Sequence, residues 1–91
     1  MIFDWNNQKN EELKETRMIS FEEIVFHINS GHILEILDHP NPGKYGNQRI
    51  YIINIKDYAW VVPFMDDGNK RFLKTIFPSR KYTQKYFGGD K

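Results

Sequence analysis

The sequence predicts an α+β fold. An antiparallel sheet of four to five strands carries two N-terminal helices on one face and a short C-terminal helix, in the order β-α-α-β-β-β-β-α. Three observations predict it. Phe21, Ile24, Val25 and Ile28 recur at i, i+3, i+4 and i+7, the period of a helix with one apolar face. Beyond Gln48, apolar runs are separated by tight-turn residues, Lys56-Asp57 and then Asp66-Asp67-Gly68-Asn69, which make consecutive strands antiparallel neighbours. The chain has 91 residues, 40% of them hydrophobic, which suits one domain over residues 1–91 with a single core.

Each element has its own reason. Met1 to Trp5 alternates loosely and reads as a short strand. Asp4 or Asn6 then caps a polar helix over Asn7 to Arg17, whose clear apolar anchor is Leu13. Ser20 followed by Glu23 is a capping box, and Ile19 with Ile24 forms the accompanying hydrophobic staple. The second helix therefore runs from Phe21 to Asn29, with Gly31 ending it. Ile33 to Leu37 is a short strand. Asp38 to Asn47 is a long loop dense in proline, glycine and asparagine. Arg49 to Ile55 places Ile50 and Ile52 on one face and Tyr51, Ile53 and Ile55 on the other, so it is a central strand. Tyr58 to Met65 is its partner, weakened or bulged at Pro63. Lys70 to Phe77 is the last strand. Pro78 ends it, Ser79 caps, and Arg80 to Phe87 forms a helix stopped by Gly88-Gly89.

A net charge of +1 hides an asymmetry. Asp4, Glu11, Glu12, Glu15, Glu22, Glu23, Glu35 and Asp38 dominate the front of the chain. Lys70, Arg71, Lys74, Arg80, Lys81, Lys85 and Lys91 face only Asp90 at its end. Phe72, Phe77, Tyr82, Tyr86 and Phe87 are interleaved with those cations. Cations meet a phosphate backbone and aromatic faces stack on bases, so the mixture suits a nucleic-acid surface. The same pattern fits an edge strand kept soluble by lysines, followed by a short helix. With no cysteine, disulfides, thiolate metal sites and cysteine nucleophiles are excluded. No apolar stretch has the length of a membrane span, and the first ten residues lack the pattern of a signal peptide. The expectation is a soluble cytoplasmic protein without membrane contact.

Three stretches share a family likeness. Phe3-Asp4-Trp5-Asn6 with Lys9 fits F-x-W-[DN]-x-x-K. Ile19 to Glu23 reads I-S-F-E-E. Pro78-Ser79-Arg80-Lys81-Tyr82-Thr83 fits [SP]-x-R-K-x-T. Together, in this order, they resemble BrnT-like toxins of type II toxin–antitoxin systems, which are similar in fold to RelE-type toxins. The resemblance implies a metal-independent ribonuclease that stops translation by cleaving mRNA. It also implies a cognate antitoxin, a small DNA-binding protein, that neutralises the toxin in an oligomeric complex. One departure stands out: Thr16-Arg17-Met18 occupies the place of the family's Lys-His-Gly, so Arg17 replaces a histidine.

Metal-free RNA cleavage uses the 2′-hydroxyl as nucleophile. The enzyme must help remove its proton, stabilise the phosphorane and protonate the leaving oxygen. A guanidinium suits the second task. Arg80 sits in the matched stretch, so the resemblance gives it that role; Lys81 and Lys74 are supporting candidates, and the use of a C-terminal tyrosine in RelE-like toxins implies Tyr86 as an acid or stacking platform. Arg49, Arg71, Lys70, Lys85 and Tyr82 are RNA-binding candidates, and Lys9, Arg17 and His39 are secondary ones. His27 reads as a helix-boundary residue and His32 as a cap. No histidine pair has metal-ligand spacing with a carboxylate, so neither metal nor cofactor is expected. Two alternatives stay open. One is a non-catalytic module that holds nucleic acid or an acidic protein on the same basic face. The other is a structural subunit whose basic face is its partner surface.

Overall fold

The structure is a computed structural model, and it describes residues 1–44 and 46–88. Tyr45 in the long loop, Gly89 in the expected helix stop, and Asp90 and Lys91 lie outside the described residues. The elements are β1 (Ile2–Asp4), α1 (Asn7–Arg17), α2 (Phe21–Asn29), β2 (Ile33–Asp38), β3 (Gln48–Ile55), β4 (Tyr58–Asp67), β5 (Lys70–Leu73), β6 (Phe77–Pro78) and α3 (Arg80–Phe87). The fold is α+β.

Local chemistry explains the helices. Asn6 caps α1, its side chain accepting from the Lys9 N–H, and Met18 ends that helix in the left-handed region. The capping box of α2 is complete: the Ser20 hydroxyl accepts from Glu23 N–H and the Glu23 carboxylate accepts from Ser20 N–H. Asn10 ties the two helices together. It is buried, its amide oxygen accepts from Phe21 N–H at 2.8 Å, and its amide nitrogen donates to Glu22 at 2.8 Å. That hydrogen bond is the leading reason the Glu22 carboxyl titrates below its ordinary value.

The sheet has six strands in the order β1-β5-β4-β3-β2, with β6 paired to β4 beyond the end of β5. Two expectations need correction. The sheet is mixed, not wholly antiparallel, because β1 pairs parallel with β5 through Ile2↔Lys70, Phe3↔Arg71 and Asp4↔Phe72. No turn connects those strands, so no local sequence signal announces the pairing. The final strand is also two strands. Pro63 sits opposite Ile50 within β4 and has no N–H to donate. There β5 leaves the ladder: only Lys74 N–H reaches the Pro63 carbonyl, at 2.8 Å, and pairing resumes with Val61↔Phe77. Ile76 turns into the core in the gap and is fully buried.

The strand registers define two faces. On the first, Tyr51 and Ile53 of β3, Val62 and Phe64 of β4, Leu73 and Ile76 pack against Leu13, Ile19, Phe21 and Ile24 of the helical layer. Trp5 stacks on Phe21 with centroids 5.6 Å apart. Burying each large apolar side chain contributes on the order of 1.5–3 kcal/mol, so this face holds most of the fold together. α1 and α2 cross it to carry the chain from β1 at one edge to β2 at the other. On the second face, Ile50, Ile52, Ala59 and Val61 form a smaller cluster with Leu34, Leu37, Tyr82 and Tyr86, and α3 lies there. No helix among the described residues is long and apolar enough to cross a membrane.

Candidate nucleic-acid interface

Hydrogen bonds at one point of β4 fix α3 on the second face. Ser79 N–H donates to the Ala59 carbonyl at 2.9 Å. Ala59 N–H donates to the Thr83 hydroxyl at 2.8 Å, and that hydroxyl donates to the Ser79 carbonyl at 2.6 Å. The Ser79 hydroxyl caps the helix by accepting from Tyr82 N–H. Tyr82 and Tyr86 turn inward, one helical turn apart.

Arg80, Lys81 and Lys85 remain exposed on the outside of α3. Its first turn has no acidic residue. Arg80 and Lys81 therefore sit at the positive end of the helix dipole, where a cation disfavours the helix. Packing does not require them there, because α3 has no buried residue at all. Arg80 makes no ion pair among the described residues. Lys85 pairs with Glu35 at 3.3 Å. Glu35 reaches the α3 side next to a register shift in β2, which places Leu34 beside that face as well. Three lysines fold over neighbouring rings: Lys74 lies 5.3 Å from the Phe72 centroid, Lys81 5.4 Å from Tyr82 and Lys85 5.2 Å from Tyr86.

The sheet divides the remaining candidates. Lys70 pairs with Asp67 and Phe72 with Met65, which puts both on the α3 face with Lys74. Arg49 and Arg71 lie on the opposite face. Asp66 bridges them, accepting from Arg49 Nη2 and from Arg71 Nε, each at 2.7 Å. Chiefly the Arg49 hydrogen bond, and also that of Arg71, hold the Asp66 carboxyl below its ordinary value. Arg71 also donates to the Tyr51 hydroxyl and covers the Phe64 ring at 4.8 Å. Lys9 and Arg17 belong to α1 on that same side. Lys9 pairs with Glu12 at 3.8 Å, and Arg17 Nη1 donates to the Ile76 carbonyl at 2.6 Å. The structure thus brings Lys70, Lys74, Arg80, Lys81, Tyr82, Lys85 and Tyr86 to one face and leaves Arg49, Arg71, Lys9 and Arg17 on the other.

Two placements bear on chemistry. The Tyr86 hydroxyl is buried beneath α3 without a hydrogen-bond partner among the described residues, so its ring packs and its O–H faces no open surface. His39 lines a cleft of about 400 Å³ with Asp38, Pro42, Gly46, Asn47, Gln48, Arg49 and Asp66, and its Nδ1 accepts from Asn41 N–H. Asp66 and Asp38 offset Arg49 there, which does not favour phosphate. His27 and His32 meet through their Nδ1 atoms at 2.8 Å. No group of three or more metal-ligating side chains gathers among the described residues. Sequence reasoning missed Asp66 and Glu35 as partners of the basic residues, and Thr83 as the bolt of α3. Pairings across the sheet leave no mark in local spacing. Compared with known proteins, the chain matches no family model, no curated protein and no solved structure.

Proposed function

We propose that the chain is the toxin component of a type II toxin–antitoxin system, with a RelE-like arrangement of its sheet and helices. In this reading it is a metal-independent endoribonuclease that acts on mRNA, and a small DNA-binding antitoxin neutralises it in the cytoplasm. One observation carries the reading. Arg80 and Lys81, which lie in the stretch resembling BrnT-like toxins, stand exposed at the start of α3, where the helix dipole disfavours them and no packing demands them. A charged pair kept against local stability points to a ligand of opposite charge. In the proposed step the 2′-oxygen attacks the adjacent phosphorus as its proton passes to solvent water. Arg80 stabilises the phosphorane oxygens, Lys81 and Lys74 add positive charge, and the bond from phosphorus to the 5′-oxygen breaks as water protonates that oxygen, leaving a 2′,3′-cyclic phosphate.

One observation favours a second reading. With its hydroxyl buried, Tyr86 is poorly placed as the general acid. A binding module using the same face without cleavage needs no acid. Tightly induced expression in a bacterial host separates the two. The toxin reading predicts growth arrest with the natural sequence and growth with Arg80→Ala at equal soluble level. Normal growth with both would overturn it in that host.

A further inference from the structure

Along one side of β4, on the α3 face, cations and rings alternate. Lys70 stands beside Asp67, Phe72 beside Met65, Lys74 in the gap opposite Pro63, Phe77 beside Val61, and Arg80 opens α3 just beyond. Phe77 is 37% exposed although it is a large apolar residue. The Phe72 ring is open enough for the Lys74 ammonium to rest 5.3 Å from its centroid. Val61 and Met65, the partners of Phe77 and Phe72, are four residues apart, so the two rings are spaced by roughly 13 Å along the strand.

We infer that this row is a track for single-stranded nucleic acid. Phe72 and Phe77 are its stacking platforms, and Lys70, Lys74 and Arg80 contact the phosphates between and beside them. The inference rests on the reading of this face as a nucleic-acid surface and adds which strandedness it takes. Ring faces stack on base faces, and a duplex hides its base faces in its own stack, about 3.4 Å apart. Only an opened strand can lay two separate bases on rings this far apart. Lys74 then has two positions: over Phe72 when the track is empty, and on a phosphate when a base takes the ring. Asp4, beside Phe72, and Asp67, beside Lys70, weaken the positive potential at that end. The strongest phosphate contacts therefore fall toward Lys74 and Arg80.

The test uses a fluorescein-labelled 2′-O-methyl RNA of about twelve nucleotides, because the blocked 2′-oxygen prevents cleavage. Its anisotropy with the full chain is compared with that of its duplex over a range of salt. The single strand should bind at least about tenfold more tightly than the duplex. Phe72→Leu and Phe77→Leu should each weaken it by roughly fivefold or more at unchanged salt slope. Lys74→Ala should lower the slope by about 0.7. Phe77→Trp, which keeps a ring, should retain affinity, and circular dichroism confirms that each variant is folded. Equal binding of strand and duplex, or unchanged affinity in folded phenylalanine variants, would overturn the track while leaving the surface reading intact. Failure of the natural sequence to bind either probe would overturn both.

Discussion

Asn10 shows how much one polar side chain holds. Its amide satisfies the first N–H of α2, Phe21, and grips Glu22, all at a buried position of α1. Removing it orphans a buried donor, which costs the desolvation of that group and not just one bond. Asn10→Ala should lower unfolding stability by about 2 kcal/mol, read from urea midpoints at constant m-value. A change under about 0.5 kcal/mol would mean that water replaces the amide. His27 gives a pH dependence. Burial, and then the adjacent His32, hold its imidazole below the ordinary value of 6.5. The unfolded chain therefore binds more protons than the folded chain as pH falls through that value, and stability drops with it. His32→Gln removes the like-charged neighbour. It should raise the His27 pKa in an NMR titration and flatten the acid limb; an unchanged His27 titration would contradict the contact.

At the level of elements, the hydrogen bonds that fix α3 to the sheet gather at Ala59, while Tyr82 and Tyr86 pack beside them. It has no buried residue, and the Thr83 hydroxyl is both acceptor for Ala59 N–H and donor to Ser79. Thr83→Val keeps the shape and removes both bonds. It should cost about 1–2 kcal/mol and speed amide exchange throughout α3 while the sheet stays protected. Uniform exchange across the chain would show that α3 unfolds only with the core. The elements differ in how legible they were. The bounds of α1, α2 and α3 could be read because the Asn6 cap, the Ser20 capping box, the Ser79 cap and the Leu13 and Phe21 patterns are local. Tyr51, Ile53, Ile50 and Ile52 fell on the expected faces because strand alternation is local too. The β1–β5 pairing was not legible, because no turn joins those strands. Pro63 was legible as a weak point of its own strand, but the break it causes lies in the neighbouring strand, after Leu73.

The same limit governs the site. The run Lys70 to Arg80 announces cations and rings, and the structure keeps most of them on one face. Arg71 shares that run, yet its position between Lys70 and Phe72 turns it to the other face, where Asp66 and Tyr51 hold it. Arg49 follows through the same carboxylate. The whole molecule therefore has a basic pair held by Asp66 under the helical layer and a basic row beside α3, the surface proposed to meet nucleic acid, a division that charge counting alone cannot make. Asp66→Asn tests the division: it should lower stability without changing the affinity of the α3 face for single-stranded RNA, and a large loss of affinity would place Arg49 and Arg71 in the interface.

Cleavage of RNA by the α3 face without a metal is what we propose for this chain. The most direct measurement is incubation of the purified chain with a single-stranded RNA and with its DNA counterpart in excess EDTA, beside Arg80→Ala. The RNA should be cut to products ending in a 2′,3′-cyclic phosphate, the DNA, which lacks the 2′-hydroxyl, should stay intact, and Arg80→Ala should slow cutting at least about a hundredfold. RNA left whole by the natural sequence, or cut equally by Arg80→Ala, would contradict it.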